Sequence, residues 1–158
     1  MKEPSLNFTD KQKVASLLIL ENLANIDGYF DNSEKAIINS FSKFLQFDVK
    51  SVRALDLFRE MRNSNIDELV QIIKPLSREG HGVILMCACE LSAADGCIDE
   101  TENKALGNLC IKLGISPKEF DKMQKRYLKL AHPKSGCFSI ILVLIISTIS
   151  LTSILFLT

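Results

Sequence analysis

LANIDGYFDNSEKAIINSFSKFLQFDVKSV, residues 23–52, and LSAADGCIDETENKALGNLCIKLGISPKEF, residues 91–120, align without a gap at an offset of 68 residues. Leu23 and Leu91, Asp27 and Asp95, Gly28 and Gly96, Asp31 and Asp99, Glu34 and Glu102, and Leu45 and Leu113 coincide. Each copy carries D-G-x-[aromatic or Ile]-D-x-x-E between two stretches with apolar residues at helical spacing. A repeated helix–loop–helix is the simplest unit with this pattern, and two such units packed together bury one another's apolar faces.

Working outward, the rest of the chain up to Ala131 also reads as helix. Thr9-Asp10-Lys11-Gln12 is a capping-box start. The helix it opens carries Val14, Leu17, Leu18, Leu20, Leu23 and Ala24 at helical spacing and stops near Ile26-Asp27-Gly28. A second helix is expected from about Asn32 to Gln46, with Ala36, Ile37, Phe41, Phe44 and Leu45 inward. A third follows Asp48 and carries Val52, Leu55, Leu57, Phe58 and Met61. A short fourth spans about Ile66 to Lys74, where Pro75 ends it. The fifth, from about Ser77 to Ala94, contains VILMCACEL, apolar nearly all round, and is expected at the centre of the bundle. The sixth runs from about Glu100 to Leu113 before Gly114, and the seventh opens on the capping box Ser116-Pro117-Lys118-Glu119. No segment shows β alternation or hairpin chemistry.

The last twenty-two residues, Cys137 to Thr158, hold no charge and no proline. As a helix they span roughly 33 Å, against about 30 Å for a bilayer's hydrocarbon core. Six Lys or Arg residues (118, 122, 125, 126, 129 and 134) face only Glu119 and Asp121 just before this run. Positive charge beside a span places the N-terminal domain in the cytoplasm, and the same cations suit anionic headgroups. The opening MKEPSLNFTDKQK has no apolar run of the kind a signal peptide needs. The expected organisation is an N-terminal extension (1–9), a helical domain (10–131), a linker (132–136) and a single-pass transmembrane tail anchor (137–158). The fold class is all-α: a compact bundle of about seven helices, built from two related helix–loop–helix halves, plus a C-terminal transmembrane helix.

Charge and cysteine content remove several function classes. Nineteen basic residues balance nineteen acidic ones, which argues against general nucleic-acid binding. The five cysteines (87, 89, 97, 110 and 137) form no C-x-x-C pair and read as free thiols, mostly small apolar core residues. The histidines are His81, read as a surface or helix-start residue, and His132. No Ser–His–Asp order and no Gly-rich phosphate loop is visible, so no enzyme is expected. Phe41, Phe44, Phe47 and Phe58 read as core.

Two uses fit the repeated D-G-x-x-D-x-x-E motif. As pure structure, the glycine takes a left-handed helix end, the aromatic or Ile plugs the core, and the second aspartate caps the next helix with the glutamate three residues on. As a site, the carboxylates offer the oxygen ligands that hard cations such as calcium require. The second copy has the spacing of the latter half of an EF-hand loop, with Asp95, Gly96, Ile98 and Glu102 at positions five, six, eight and twelve. The first half fails, because Leu91 and Ala93 stand at positions one and three, as Leu23 and Asn25 do in the other copy. A different site forms if the two loops face each other and pool Asp27, Asp31, Glu34, Asp95, Asp99, Glu100 and Glu102. No basic residue lies between Lys13 and Lys35 or between Arg78 and Lys104. Such a face repels itself without a cation or a basic partner.

The paired acidic loops in an all-helical context resemble the tellurite-resistance B-like (TerB-like) family over about residues 10–131. The clearest copy is Leu91-Ser92-Ala93-Ala94-Asp95-Gly96-Cys97-Ile98-Asp99-Glu100-Thr101-Glu102. The resemblance implies a seven-helix bundle with no established catalytic chemistry, often at the membrane and associated with stress and tellurite responses. It implies that Asp27, Asp31, Glu34, Asp95, Asp99 and Glu102 are the candidate metal-binding or interaction surface. A related domain occurs in membrane-anchored J-domain co-chaperones. This chain has no J domain, and His132-Pro133-Lys134 lacks the aspartate of the HPD motif.

The expected function is therefore a membrane-tethered, non-catalytic binding or scaffold module. Its acidic loops would take a protein partner, whose identity the sequence leaves open, with or without a divalent cation such as calcium. A divalent-cation sensor is the alternative, and a metal-dependent hydrolase is a distant third.

Overall fold

The computed structural model describes residues 7–26, 28, 30, 32–94, 100–122 and 125. Chain contacts divide the protein into Met1–Tyr127 and Leu128–Thr158, and all described residues belong to the first unit. The expected tail anchor lies outside the described residues. Among those described, no helix is long and apolar enough to cross a membrane.

The described residues form α1 (Asp10–Ala24), α2 (Asn32–Phe44), α3 (Val52–Met61), α4 (Ile66–Ile73), α5 (Arg78–Ser92), α6 (Glu100–Lys112) and a seventh helical stretch, α7, at 117–122. No strand occurs among them. The all-α expectation and the order of the helices hold. The starts are set by local chemistry. Thr9 and Gln12 exchange the two bonds of a capping box, as do Asn65 and Glu68, and Ser51 and Ser77 cap α3 and α5 through their hydroxyls. At α7 the Ser116 hydroxyl accepts from the Glu119 N–H at 3.3 Å, while the Glu119 carboxylate accepts the Ser116 N–H at 3.0 Å.

The duplication extends to the helix bounds. α1 and α5 both have 15 residues and α2 and α6 both have 13, and every one of these ends is offset by 68. The N-caps Thr9 and Ser77 obey the same offset. The halves diverge afterwards: α3 starts at Val52, whereas α7 starts at 117, three residues short of the equivalent position.

α5 packs at the centre, as expected, and shares that place with α1. α1 packs against α2, α3, α4 and α5, and seven consecutive residues, Val14 to Leu20, are buried. A helix enclosed on all sides shows no amphipathic stripe, and Ser16 survives there because its hydroxyl donates to the Gln12 carbonyl at 2.8 Å. α5 is the second hub, packed on α1, α2 and α6. α3 hides only part of its apolar set. Ala54 and Met61 are buried, but Val52 is 77% exposed and Leu55 is 44% exposed. α3 rests chiefly on α1 and so hides only one narrow stripe. On α2, Ile37 and Phe41 are buried whereas Ala36 is exposed and Phe44 half-buried.

The fully buried large side chains include Ile19, Leu20, Phe41, Leu69, Ile73, Ile84, Leu85 and Leu106, drawn from α1, α2, α4, α5 and α6. Each contributes about 1.5–3 kcal/mol by leaving water. Ion pairs tie the periphery: Lys11–Glu60 and Arg53–Asp10 join α1 to α3, Lys112–Asp67 joins α6 to α4, and Arg78–Glu119 joins α5 to α7.

Candidate functional site

The two acidic joints sit where α1 gives way to α2 and α5 gives way to α6. In the first, the chain leaves α1 through Asn25, whose carbonyl accepts the Gly28 N–H at 3.1 Å. Gly28 then takes φ 80°, the left-handed conformation that glycine reaches without a Cβ penalty. Phe30 follows, half-buried, with the Lys35 ammonium 5.3 Å from its ring centre in a cation–π contact.

Of the six candidate site residues, Glu34 and Glu102 lie within the described structure. Each is the third residue of its helix, and each is half-buried. Position three of a helix favours a carboxylate because unpaired N–H groups and the positive end of the helix dipole are close by. Asp27, Asp31, Asp95 and Asp99 fall outside the described residues. Glu100, the first residue of α6, is exposed. Both α2 and α6 pack on α5, so Glu34 and Glu102 stand at the N-terminal ends of two helices that share a neighbour. Among the described residues, no group of three or more His, Cys, Asp or Glu side chains is arranged to hold a metal ion.

The titratable groups that the fold does bury are different ones. Glu90, inside the apolar run of α5, is only 6% exposed, and burial pushes its carboxyl up to about 8. Sequence reasoning passed over it, although a lone acid inside VILMCACEL was the available signal. Cys87, Cys89 and Cys110 are buried too. Burial pushes the Cys89 and Cys110 thiols up to about 12 and the Cys87 thiol well above its ordinary value. They are protonated at neutral pH and present no thiolate for metal binding or attack.

His81 departs from expectation in its surroundings. It is near the start of α5, as read from the sequence, but it is 6% exposed and not at the surface. Its Nε2 lies 3.0 Å from the Ile73 carbonyl oxygen, in the last turn of α4. A carbonyl only accepts, so Nε2 carries the hydrogen and donates. The ring thus adds a second donor to a helix-end carbonyl that also accepts the Leu76 N–H at 3.0 Å, and it fastens α4 to α5.

An open groove of about 580 Å³ lies between the start of α1 and α3, with Asp10, Lys11, Val52, Arg53, Asp56 and Glu60 along it. The Arg53–Asp10 pair at 2.7 Å and the Lys11–Glu60 pair at 2.9 Å draw its walls together. Its charged groups largely satisfy one another, and it holds no cysteine, histidine or tyrosine.

No curated protein and no solved structure matches the chain. The family described as Tellurite resistance protein TerB does match, over residues 13–125. That stretch runs from the first turn of α1 to the end of the described helices and takes in both acidic joints and both halves of the duplication. The chain belongs to the TerB tellurite resistance family.

Proposed function

We propose that the protein is a membrane-tethered, non-catalytic binding module that uses its paired acidic loops to recruit a protein partner in a stress response. The observation that carries this is the equivalence of Glu34 and Glu102: same helix position, same half-burial, and helix bounds repeated at 68 residues. That equivalence supports a matched pair of loops, with Asp27, Asp31, Asp95 and Asp99 supplying the remaining charge. The tether is the uncharged run 137–158. A non-catalytic role is supported by the reactive groups on hand. His81 is occupied by the Ile73 carbonyl, and Cys87, Cys89 and Cys110 are buried.

A second reading has the loops close on a divalent cation, calcium or a similar hard ion, and report its level. It is favoured by the D-G-x-I-x-x-x-E spacing of residues 95–102.

One pair of measurements on the full chain in detergent separates the two. Partner capture is compared between the natural chain and Asp27→Asn/Asp95→Asn. Melting is followed in EDTA and then in calcium, magnesium, manganese and zinc. Loss of the captured partner at unchanged stability supports the binding module; an unchanged partner set removes the acidic face from consideration. A saturable rise in Tm that the double variant abolishes supports the sensor. Binding at a hundredfold excess over Kd adds about 2.7 kcal/mol to stability.

A further inference from the structure

The seventh helix sorts its side chains by direction. Phe120 is 8% exposed and fixes the face turned to the core. At 100° per residue, Lys118 lies about 200° round from Phe120. Lys122 and Lys125 follow at i+4 and i+7, so the three lysines share an arc of about 60°. All three are exposed.

The acids of the same helix are already engaged. The Glu119 carboxylate takes Arg78 Nη2 at 2.6 Å and the Ser116 hydroxyl and N–H at 2.8 and 3.0 Å. Asp121 takes Lys125 at 2.7 Å, in an exposed i,i+4 pair of the kind that contributes little and opens readily. Beyond Lys125 the sequence adds Arg126, Lys129 and Lys134 with no further acid, and then the twenty-two uncharged residues.

We infer that the Lys118–Lys122–Lys125 face of the seventh helix is a headgroup-binding surface for an anionic lipid bilayer. The inference rests on the membrane-tethered reading above and adds an orientation to it: one side of the domain is held against the bilayer. The chemistry matches a lipid surface better than a nucleic acid. Lysines act as point charges toward a diffuse plane of phosphates, the face carries no aromatic ring for base stacking, and the whole chain has no net positive charge. Lysines within a Debye length of such a plane are attracted to it, and salt weakens that attraction.

The test uses the full chain reconstituted into vesicles of phosphatidylcholine alone or of phosphatidylcholine mixed with phosphatidylglycerol. Lysine acetylation rates are read residue by residue by mass spectrometry, with exposed Lys43 and Lys50 as internal references. The expected result is several-fold slower labelling of Lys118, Lys122 and Lys125 on the anionic vesicles only. High salt should reverse the protection, and in Lys118→Glu/Lys122→Glu the remaining Lys125 should lose it. Equal rates on both vesicles overturn the proposal. Alkaline carbonate extraction tests the tether separately. If carbonate releases the chain, the tether is wrong. The lysine face then stands if the chain still binds anionic vesicles with these lysines protected, and falls if it binds neither kind.

Discussion

Gln46 and Gly114, 68 residues apart, hold the same left-handed backbone position, with φ 49° and 70°. Each follows a buried leucine, Leu45 or Leu113, and each closes the same pair of bonds at a helix end. Phe47 N–H donates to the Ser42 carbonyl and Gln46 N–H to Lys43; Ile115 N–H donates to Cys110 and Gly114 N–H to Ile111. This is the Schellman arrangement, built twice, once with the residue it favours and once without it.

The difference predicts opposite effects of two substitutions. A non-glycine residue in the left-handed region costs about 1–2 kcal/mol, partly offset by the lower freedom of its unfolded chain. Gln46→Gly should therefore stabilise the domain by a few tenths to about 1 kcal/mol. Gly114→Ala should destabilise it by about 1 kcal/mol, since the strain arises in φ and not from any neighbouring atom. Urea unfolding of both variants checks this. Equal and near-zero shifts would mean the two turns are not under the same constraint.

What the sequence disclosed and what it hid divide along physical lines. Caps, turns and helix ends depend on a few adjacent residues, so Thr9, Ser116 and Gly114 announced them correctly. Which side of a helix is buried depends on how many neighbours surround it, and no local pattern reports that. Hence α1 and α3 both carry apolar residues at helical spacing, yet α1 is enclosed and α3 leaves Val52 in water. The repeat was legible because duplication preserves spacing. The place of His81 near the start of α5 is legible, but its burial is not, because its partner is the Ile73 carbonyl eight residues earlier on a different helix.

The exposure of Val52 makes that difference testable. Val52→Ser and Leu55→Ser should each change stability by no more than about 0.5–1 kcal/mol, as surface substitutions usually do. Met61→Ala, on the same helix as Leu55 but 2% exposed, should cost about 2–5 kcal/mol. If Val52→Ser costs as much as Met61→Ala, then α3 buries the face that carries Val52 and its placement on α1 is wrong.

His81 predicts a cost that a surface histidine would not show. His81→Phe keeps the ring's volume but removes one of the two donors to the Ile73 carbonyl, leaving the Leu76 N–H at 3.0 Å, which costs about 0.5–1.5 kcal/mol. His81→Gln supplies an amide donor of similar reach and should recover part of the loss. Thermal or urea unfolding of the pair decides it. Equal stability of Phe and Gln variants would show that the carbonyl does not depend on a donor at this position.

Glu90 predicts an inverted dependence on pH. Its carboxyl titrates at about 8 in the folded protein against an ordinary 4.5, so the folded state holds the proton more tightly than the unfolded state. The stability this contributes is whole below pH 4.5 and drains away as pH rises through 8. Glu119 acts in the other direction and elsewhere. The Arg78 hydrogen bond, with help from Ser116, holds its carboxyl down to about 2, so its contribution is present above pH 4.5 and lost as pH falls through 2. Between pH 5 and 8 Glu119 is ionised whether the chain is folded or not, so of these two carboxyls only Glu90 adds slope in that window. Glu90→Gln, neutral at every pH, should flatten the slope and leave the domain more stable than the natural chain at pH 7.5. Urea unfolding across this range measures both. A slope unchanged in the variant would mean that the carboxyl reaches water and ionises in the folded state at its ordinary pH.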